Sequence, residues 1–265
     1  MKTETNGTVG TLARGLKLIQ VLTEAPAPIS LARLARATGF DTSTCHRMLQ
    51  TLTLEGWAVQ DELTREYAAG PHALVRCAPW HPWSLFKLQA RPHLERLNER
   101  TKETVGLIAF TSIERVMVDV IHGQLTLSSY YDIRLASPLH GSASGKILLA
   151  AMPPARREAL LGPGPYPATT PFTVTEPKKL AGQLNEISKN GFVISRDEFF
   201  VGLVAYGAPI TYRGVTLGCI VITCSSDVEH VFDDERMGRE CKETGELISS
   251  VVPAIHQLSH FLAGF

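Results

Sequence analysis

The stretch Asp41-Thr-Ser-Thr-Cys-His-Arg-Met-Leu-Gln-Thr-Leu52 decides the fold of the first part of this chain. Its apolar residues recur at intervals of four and three, the spacing of one helix face: Cys45, Leu49 and Leu52. Asp41 and Ser43 offer N-caps, and Gly56 follows as a helix terminator. The pattern predicts an amphipathic helix with one apolar face and one polar face.

Further elements are predicted on both sides of this helix. Upstream, apolar residues at helical spacing predict a first helix: Leu12, Leu16, Ile19 and Leu22. The segment Ala25-Pro-Ala-Pro28 stops it, Ser30 caps a second helix, and Gly39 ends that one. Downstream, two short strands are predicted to pair as a hairpin: 57–60 and 67–69. The order helix, helix, short turn, helix, hairpin predicts an all-α winged helix-turn-helix domain over residues 9–70, behind a disordered tail at 1–8.

The polar face of the third helix carries groups that bond phosphates or base edges in a major groove: Thr42, Ser43, Thr44, His46, Arg47 and Gln50. Arg47 has the geometry to contact guanine, Gln50 can read adenine, and the hydroxyls at the helix start suit phosphates. Arg65 at the hairpin tip is placed to reach a neighbouring phosphate or the minor groove. These seven residues are the predicted contacts to double-stranded DNA.

Two alternatives remain open for this face: an ordinary solvated helix surface, or a winged helix that binds another protein. Residues 1–80 carry eight basic and seven acidic side chains, a net charge of +1. Such a small excess means that local geometry, and not a general positive field, must supply any affinity for DNA.

The composition of the whole chain fits a globular protein. Of 265 residues, 44% are apolar and 20% charged, and 26 basic side chains balance 26 acidic ones, which argues against disorder. We find no signal peptide and no run long enough to span a bilayer, so we expect a cytoplasmic protein without a membrane partner. The cysteines lack metal-ligand spacings and suit reduced thiols: Cys45, Cys77, Cys219, Cys224 and Cys241.

The remainder of the chain is predicted to form a second domain at 85–265, behind a linker at 71–84. Helices are expected near 84–103, 145–151, 155–160 and 177–190, followed by a long last helix that Pro253 interrupts. Strands are expected near 105–110, 115–122, 125–131, 192–195, 203–210 and 217–223. Hairpin-like neighbours and interspersed helices predict an α+β domain with a mainly antiparallel sheet.

Enzyme interpretations are disfavoured by the motifs of this second domain. His140-Gly-Ser-Ala-Ser-Gly-Lys146 fails the phosphate-binding loop pattern, because His140 occupies the place of its first glycine, and it fails Gly-x-Ser-x-Gly at Ala143. A hydrolase pairing His140 with Ser142 or Ser144, and a metal held by His256 and His260, stay as minor alternatives. We predict no catalytic residue, metal or cofactor.

Over residues 9–263 the sequence resembles the IclR family of bacterial transcription regulators. The resemblance rests on five segments: Thr11–Ile19, Ser30–Ala35, Ser43–Leu52, Ser137–Lys146, and Asp197-Glu198 with Gly202. It implies a winged-helix DNA reader, a linker, and a GAF-like ligand-binding domain. Such proteins act as homodimers or homotetramers that repress or activate a catabolic operon in response to a small organic molecule.

The resemblance also implies which residues line the effector pocket: Ser137, Ala143, Ser144, Ser195, Leu203, Ala205, Val221 and Thr223. Ala143 and Ser144 fall where a helix N-terminus offers N–H groups to a carboxylate. The chain departs from the family at Ser195-Arg196, where an acidic pair is frequent, and at Val221, where serine is frequent. A less acidic and less polar pocket favours a small aromatic carboxylic acid as effector. Four aromatic residues are candidates to flank its ring, although aromatic side chains in strands more often belong to the core: Tyr130, Tyr131, Phe199 and Tyr206.

Overall fold

The computed structural model of the chain describes residues 10–25, 27–74, 81–111, 114–123, 135, 137–226 and 233–262. The chain divides into two compact units with the boundary after Cys77. The predicted tail at 1–8, the predicted strand at 125–131 and residues 75–80 of the predicted linker lie outside the described residues. The two ends of that linker are helical, since one helix occupies Pro71–Leu74 and another begins at Pro82.

The described part of the N-terminal unit contains four helices and a hairpin: α1 (Gly10–Glu24), α2 (Leu31–Thr38), α3 (Thr42–Leu54), β1 (Ala58–Gln60), β2 (Tyr67–Ala69) and α4 (Pro71–Leu74). The two strands pair antiparallel. The turn between α2 and α3 depends on Gly39, whose φ of 74° is left-handed and whose N–H donates to the carbonyl of Ala35. Asp41 then caps α3 by accepting from the N–H of Thr44. The predicted winged helix-turn-helix is confirmed.

The core of this unit corrects one predicted helix face. Side chains from all three long helices and the hairpin meet in the core: Leu18, Leu22, Leu34, Cys45, Leu49, Ala58 and Tyr67. The predicted face of α1 is wrong in its first half, because Leu12 and Leu16 are 61% and 57% exposed. The buried stripe runs through Leu18 and Leu22 instead, since only the second half of α1 packs on the rest of the unit.

In its described residues, the C-terminal unit places a five-stranded sheet among six α-helices: α5 (Pro82–Thr101), α6 (Ala143–Ala151), α7 (Pro154–Leu161), α8 (Pro177–Asn190), α9 (Asp234–Val251) and α10 (Ala254–Leu262). Its strands are β3 (Thr104–Thr111), β4 (Glu114–Ile121), β5 (Val193–Arg196), β6 (Leu203–Tyr212) and β7 (Val215–Ser225). They are ordered β4-β3-β7-β6-β5, and every neighbouring pair is antiparallel.

Helices cover both faces of this sheet, so its strands are apolar on both sides. On one face, Ile220 and Ile222 of β7 pack against α5, α9 and α10. On the other, Cys219 and Val221 pack against α6 and α8. The predicted α+β domain with an antiparallel sheet is confirmed. Within the described ranges, no helix is long and apolar enough to cross a membrane.

Candidate functional site

Helix α3 presents its predicted polar face to solvent. Cys45 and Leu49 are fully buried, which turns the opposite side of the helix outward. The predicted DNA contacts on that side are exposed, except Thr44, which is half-buried: Thr42, Ser43, Thr44, His46, Arg47 and Gln50. Arg65 is exposed in the turn between β1 and β2, with a left-handed φ of 59°. The structure therefore leaves this face available to a partner.

Two of the predicted contacts also serve the cap of α3. Ser43 Oγ donates to Asp41 Oδ1 at 2.6 Å, and Thr44 donates to Asp41 through its hydroxyl and its N–H, each at 2.7 Å. Both hydroxyl protons are thus engaged by Asp41, which leaves the two oxygens as acceptors. These hydrogen bonds hold the pKa of Asp41 well below its ordinary value, and the bond from Ser43 has the largest effect.

The replacement Asp41→Asn should weaken the N-terminal unit in a pH-dependent way. Because the folded-state pKa of Asp41 is depressed, its ionised cap stabilises the fold above the unfolded pKa of about 4, and this stabilisation is lost as the pH falls towards the folded-state pKa. We expect wild type to melt at a higher temperature than the variant at pH 7, with the difference shrinking at about pH 3. Circular dichroism of the full chain measures it. Glu62→Gln, at an exposed position of the same unit, is the control; an equal pH dependence there would contradict the role of Asp41.

In the C-terminal unit, one cavity of about 90 Å³ is lined by all eight residues of the predicted effector pocket: Ser137, Ala143, Ser144, Ser195, Leu203, Ala205, Val221 and Thr223. Seven more residues complete its wall: Gly106, Ile108, Met117, Leu135, Ser142, Glu198 and Phe199. The volume holds several water molecules, and most of the wall is apolar. The cavity lies between the sheet and the start of α6.

Strand register brings these distant residues together. Ser195 of β5 is opposite Ala205 of β6, and Ala205 is opposite Thr223 of β7. Gly106 of β3 is opposite Val221, so four strands contribute to one patch of the sheet face. Above it, Gly145 lets α6 begin directly against the backbone of Leu139, because a Cβ at that position would overlap the backbone of Leu139.

One polar wall of the cavity is built around Arg115 of β4, which is 5% exposed. Its Nη1 donates to the hydroxyls of Ser142 at 2.7 Å, Ser144 at 3.0 Å and Ser137 at 3.2 Å. Its Nη2 donates to the carbonyls of Leu135, at 2.8 Å, and of Ser137. Burial lowers the pKa of Arg115 to about 10, which leaves the guanidinium charged at neutral pH.

Sequence reasoning missed Arg115 as part of this site. It lies in an imperfectly alternating strand, where an arginine is most simply an exposed residue. A usable signal was present, namely an arginine within an apolar strand combined with the serine-rich segment at 137–144. Only the fold brings the two together.

A second polar cluster adjoins the cavity through Glu198. Lys146 of α6 is fully buried and forms an ion pair with Glu198, which is 5% exposed. Burial lowers the pKa of Lys146, and the charge of Glu198 partly offsets that effect. Ser195 Oγ donates to Glu198 Oε1 at 3.3 Å, and the N–H of Val174 donates to Oε2 at 3.4 Å. The positive charge of Lys146 and the negative charge of Glu198 balance within this cluster.

The aromatic residues considered as neighbours of a ligand ring do not all lie at the cavity. Phe199 lines the cavity. Tyr206 does not, because it alternates to the other face of β6, where it is fully buried and its hydroxyl donates to Asp234. The expectation that Tyr206 flanks a ligand is therefore wrong. Tyr130 and Tyr131 lie outside the described residues.

The minor enzyme and metal interpretations find no matching geometry. His140 Nε2 contacts the carbonyl of Pro167 at 2.9 Å, while Ser142 and Ser144 accept from Arg115, so the histidine and these serines are not hydrogen-bonded partners. His256 and His260 contact each other through Nε2 at 3.2 Å. Within the described part of the chain no three His, Cys, Asp or Glu side chains cluster as metal ligands. The described cysteines are free and buried: Cys45, Cys219, Cys224 and Cys241.

Comparison with known proteins gives matches over both units. Residues 11–62 match the IclR helix-turn-helix domain, and residues 85–250 match the bacterial transcriptional regulator IclR C-terminal domain. The HTH-type transcriptional regulator Rv1719 of Mycobacterium tuberculosis is 28% identical over 246 residues, 93% of this chain and 91% of that protein. The transcriptional repressor IclR of Escherichia coli is 28% identical over 206 residues, 77% of this chain and 75% of its own.

Solved structures share the fold. An IclR homologue from Microbacterium hydrocarbonoxydans, complexed with 4-hydroxybenzoate, superposes with a TM-score of 0.78 at 22% identity, covering 92% of this chain and 99% of its own. An IclR regulator from Alicyclobacillus acidocaldarius superposes with a TM-score of 0.75 at 21% identity. The superposition covers 92% of this chain and 98% of that chain. The curated relatives are named as transcriptional regulators, a role without catalysis.

Proposed function

Because this chain belongs to the IclR family of bacterial transcriptional regulators, we propose that it controls a catabolic operon by reading operator DNA with α3 and by binding a small carboxylic acid in the cavity of its C-terminal unit. The observation that carries the DNA-binding half is the exposed polar face of α3 opposite the buried Cys45 and Leu49. Hydroxyl, imidazole, guanidinium and amide groups on one helix face are the groups that contact phosphates and base edges.

We also propose that the regulator acts as a homodimer or homotetramer. Two copies would place their α3 helices in successive major grooves about 34 Å apart, which requires a palindromic operator. An effector that fits one arrangement of the assembly better than another would change its affinity for DNA by that difference in binding.

A mobility-shift experiment tests the DNA-binding half. The duplex is the DNA immediately upstream of the gene for this chain, and the titration is repeated at several salt concentrations. We expect a specific shift that weakens steeply with salt, because phosphate contacts release counterions. A protein that shifts no duplex at any salt concentration would contradict DNA reading and would favour a protein partner for the winged helix.

The proposed effector is a small aromatic carboxylic acid. Three features support it: the mostly apolar wall, with Ile108, Met117 and Leu203; the start of α6, where the first N–H groups lack helical acceptors; and Phe199 as an aromatic neighbour. The structural relative complexed with 4-hydroxybenzoate is consistent with such a ligand.

A thermal-shift screen of small acids tests the effector. A compound that binds only the folded chain must raise its melting temperature. We expect benzoate and 4-hydroxybenzoate to raise it, and acetate, pyruvate and butyrate to raise it less. Stabilisation by the aliphatic acids alone would overturn the aromatic preference, and stabilisation by none of the acids would overturn the carboxylate proposal.

A further inference from the structure

The cavity wall holds a buried positive charge that no described residue neutralises. Arg115 is 5% exposed, and its hydrogen-bond partners among the described residues are hydroxyls and carbonyls, all of them neutral. Among the described residues no carboxylate forms an ion pair with it. A buried charge without a counter-charge is costly unless a ligand or a neighbour supplies one.

The charged groups nearest the cavity leave a net charge of +1. Glu198 lines the cavity, but its charge is matched by Lys146. Cys219, which lies close enough to Arg115 to influence it electrostatically, stays a neutral thiol because burial raises its pKa. Of these charged groups at the cavity, the guanidinium of Arg115 is then the one without an oppositely charged partner among the described residues.

Two serine hydroxyls lie between the guanidinium of Arg115 and the cavity. A hydroxyl that accepts from a guanidinium keeps one proton to donate. Ser142 uses its proton on the carbonyl of Pro138 at 2.9 Å. The hydroxyls of Ser137 and Ser144 accept from Arg115 and have no acceptor of their own among the described residues. Both line the cavity, so they offer it two donors polarised by a buried cation.

We propose that Arg115, acting through the hydroxyls of Ser137 and Ser144, makes the cavity selective for a ligand with a single negative charge, and therefore distinguishes a carboxylate from its neutral amide. This inference rests on the proposed effector class and identifies the residue that sets it. Arg115 is a positioning and charge-setting residue, because serine oxygens stand between it and the cavity. The N–H groups at the start of α6 contribute further partial positive charge at the same end of the cavity.

The test compares matched pairs of probes on the full chain: benzoate with benzamide, and butyrate with butyramide. Calorimetric titration at pH 7 should give wild type a preference of at least about tenfold for the better carboxylate over its amide, as expected for hydrogen bonds to a charged group. Arg115→Met should reduce that preference to near one. Arg115→Lys, which keeps the charge, should retain part of it.

The melting temperature of the unliganded chain separates charge selection from a merely structural role. Methionine fills a similar volume but leaves the carbonyls of Leu135 and Ser137 without this donor, so Arg115→Met should melt lower than wild type and still fold; loss of carboxylate selectivity in the folded variant then reports the charge. If Arg115→Met does not fold, the double variant Ser137→Ala, Ser144→Ala leaves Arg115 in place and should lower benzoate affinity several-fold with benzamide affinity unchanged.

The outcomes separate the two proposals. A variant without the guanidinium, or without both hydroxyls, that keeps the carboxylate preference would overturn the role of Arg115 and leave the effector proposal intact. Wild type that prefers the amides, or binds no carboxylate, would overturn both. Loss of selectivity in Arg115→Met with retained selectivity in Arg115→Lys supports the inference.

Discussion

Replacing Glu198 with glutamine is expected to destabilise the C-terminal unit by about 3–5 kcal/mol, because it leaves a buried ammonium without its counter-charge. Lys146 is fully buried, and within the described part of the chain Glu198 is its only ion-pair partner. Urea unfolding followed by circular dichroism measures the change. The loss should shrink as the pH rises from about 7 to 10, since burial already lowers the pKa of Lys146 and an unpaired ammonium can then release its proton.

Two further variants define the cause of this loss. Combining Glu198→Gln with Lys146→Met removes both charges and should recover most of the stability, as replacing both members of a buried pair commonly does. Glu176→Gln is the matched control, because Glu176 and Lys179 pair at 2.6 Å on the surface, where both charges stay hydrated. A double variant no more stable than Glu198→Gln would show that the hydrogen bonds of Glu198, and not its charge, carry the effect.

The replacement Arg47→Ala should weaken specific operator binding by about 1–3 kcal/mol, or roughly 5- to 150-fold. Arg47 is exposed on the outward face of α3, and a guanidinium there can form two hydrogen bonds to one guanine. Fluorescence anisotropy with operator and with scrambled duplex measures both affinities. Arg47→Lys keeps the charge but not the planar fork, so it should lose specificity while keeping most non-specific affinity.

The control for this prediction is Arg239→Ala, which removes an exposed arginine from α9 in the other unit. It should leave operator affinity unchanged. Equal losses on operator and scrambled duplex in Arg47→Ala would identify a phosphate contact in place of a base contact. Wild-type operator affinity in that variant would contradict the assignment of α3 as the reading helix.

Local sequence patterns predicted the positions of helices and strands better than they predicted which side of each helix or strand is buried. Pro177–Asn190 forms a helix with the predicted bounds, since its apolar period and its Gly191 terminator are local signals. The face of α1 was predicted incorrectly, because Leu12 and Leu16 have the right spacing but are not covered by any described residue of their unit. Tyr206 is a core residue on the face of the sheet opposite the cavity, and the sequence left its position open because strand alternation alone does not specify which core each face contacts.

The cavity residues were named from family resemblance, and the structure brings all eight around one space. The physical reason is register: Ser195, Ala205 and Thr223 lie in one row across three strands. No local signal in the sequence specifies such a row. Whether these residues bind the effector stays a prediction for the thermal-shift screen.

The winged helix-turn-helix and the polar face of α3 follow from the sequence alone, because spacing, caps and glycine turns act over a few residues. Which charges meet inside the C-terminal unit depends on the tertiary structure. Lys146 and Glu198 are 52 residues apart, and Arg115 lies 22 to 29 residues from the serines to which it donates. Contacts at such separations depend on how strands pair and helices pack, and the burial that makes them consequential exists only once the chain has folded.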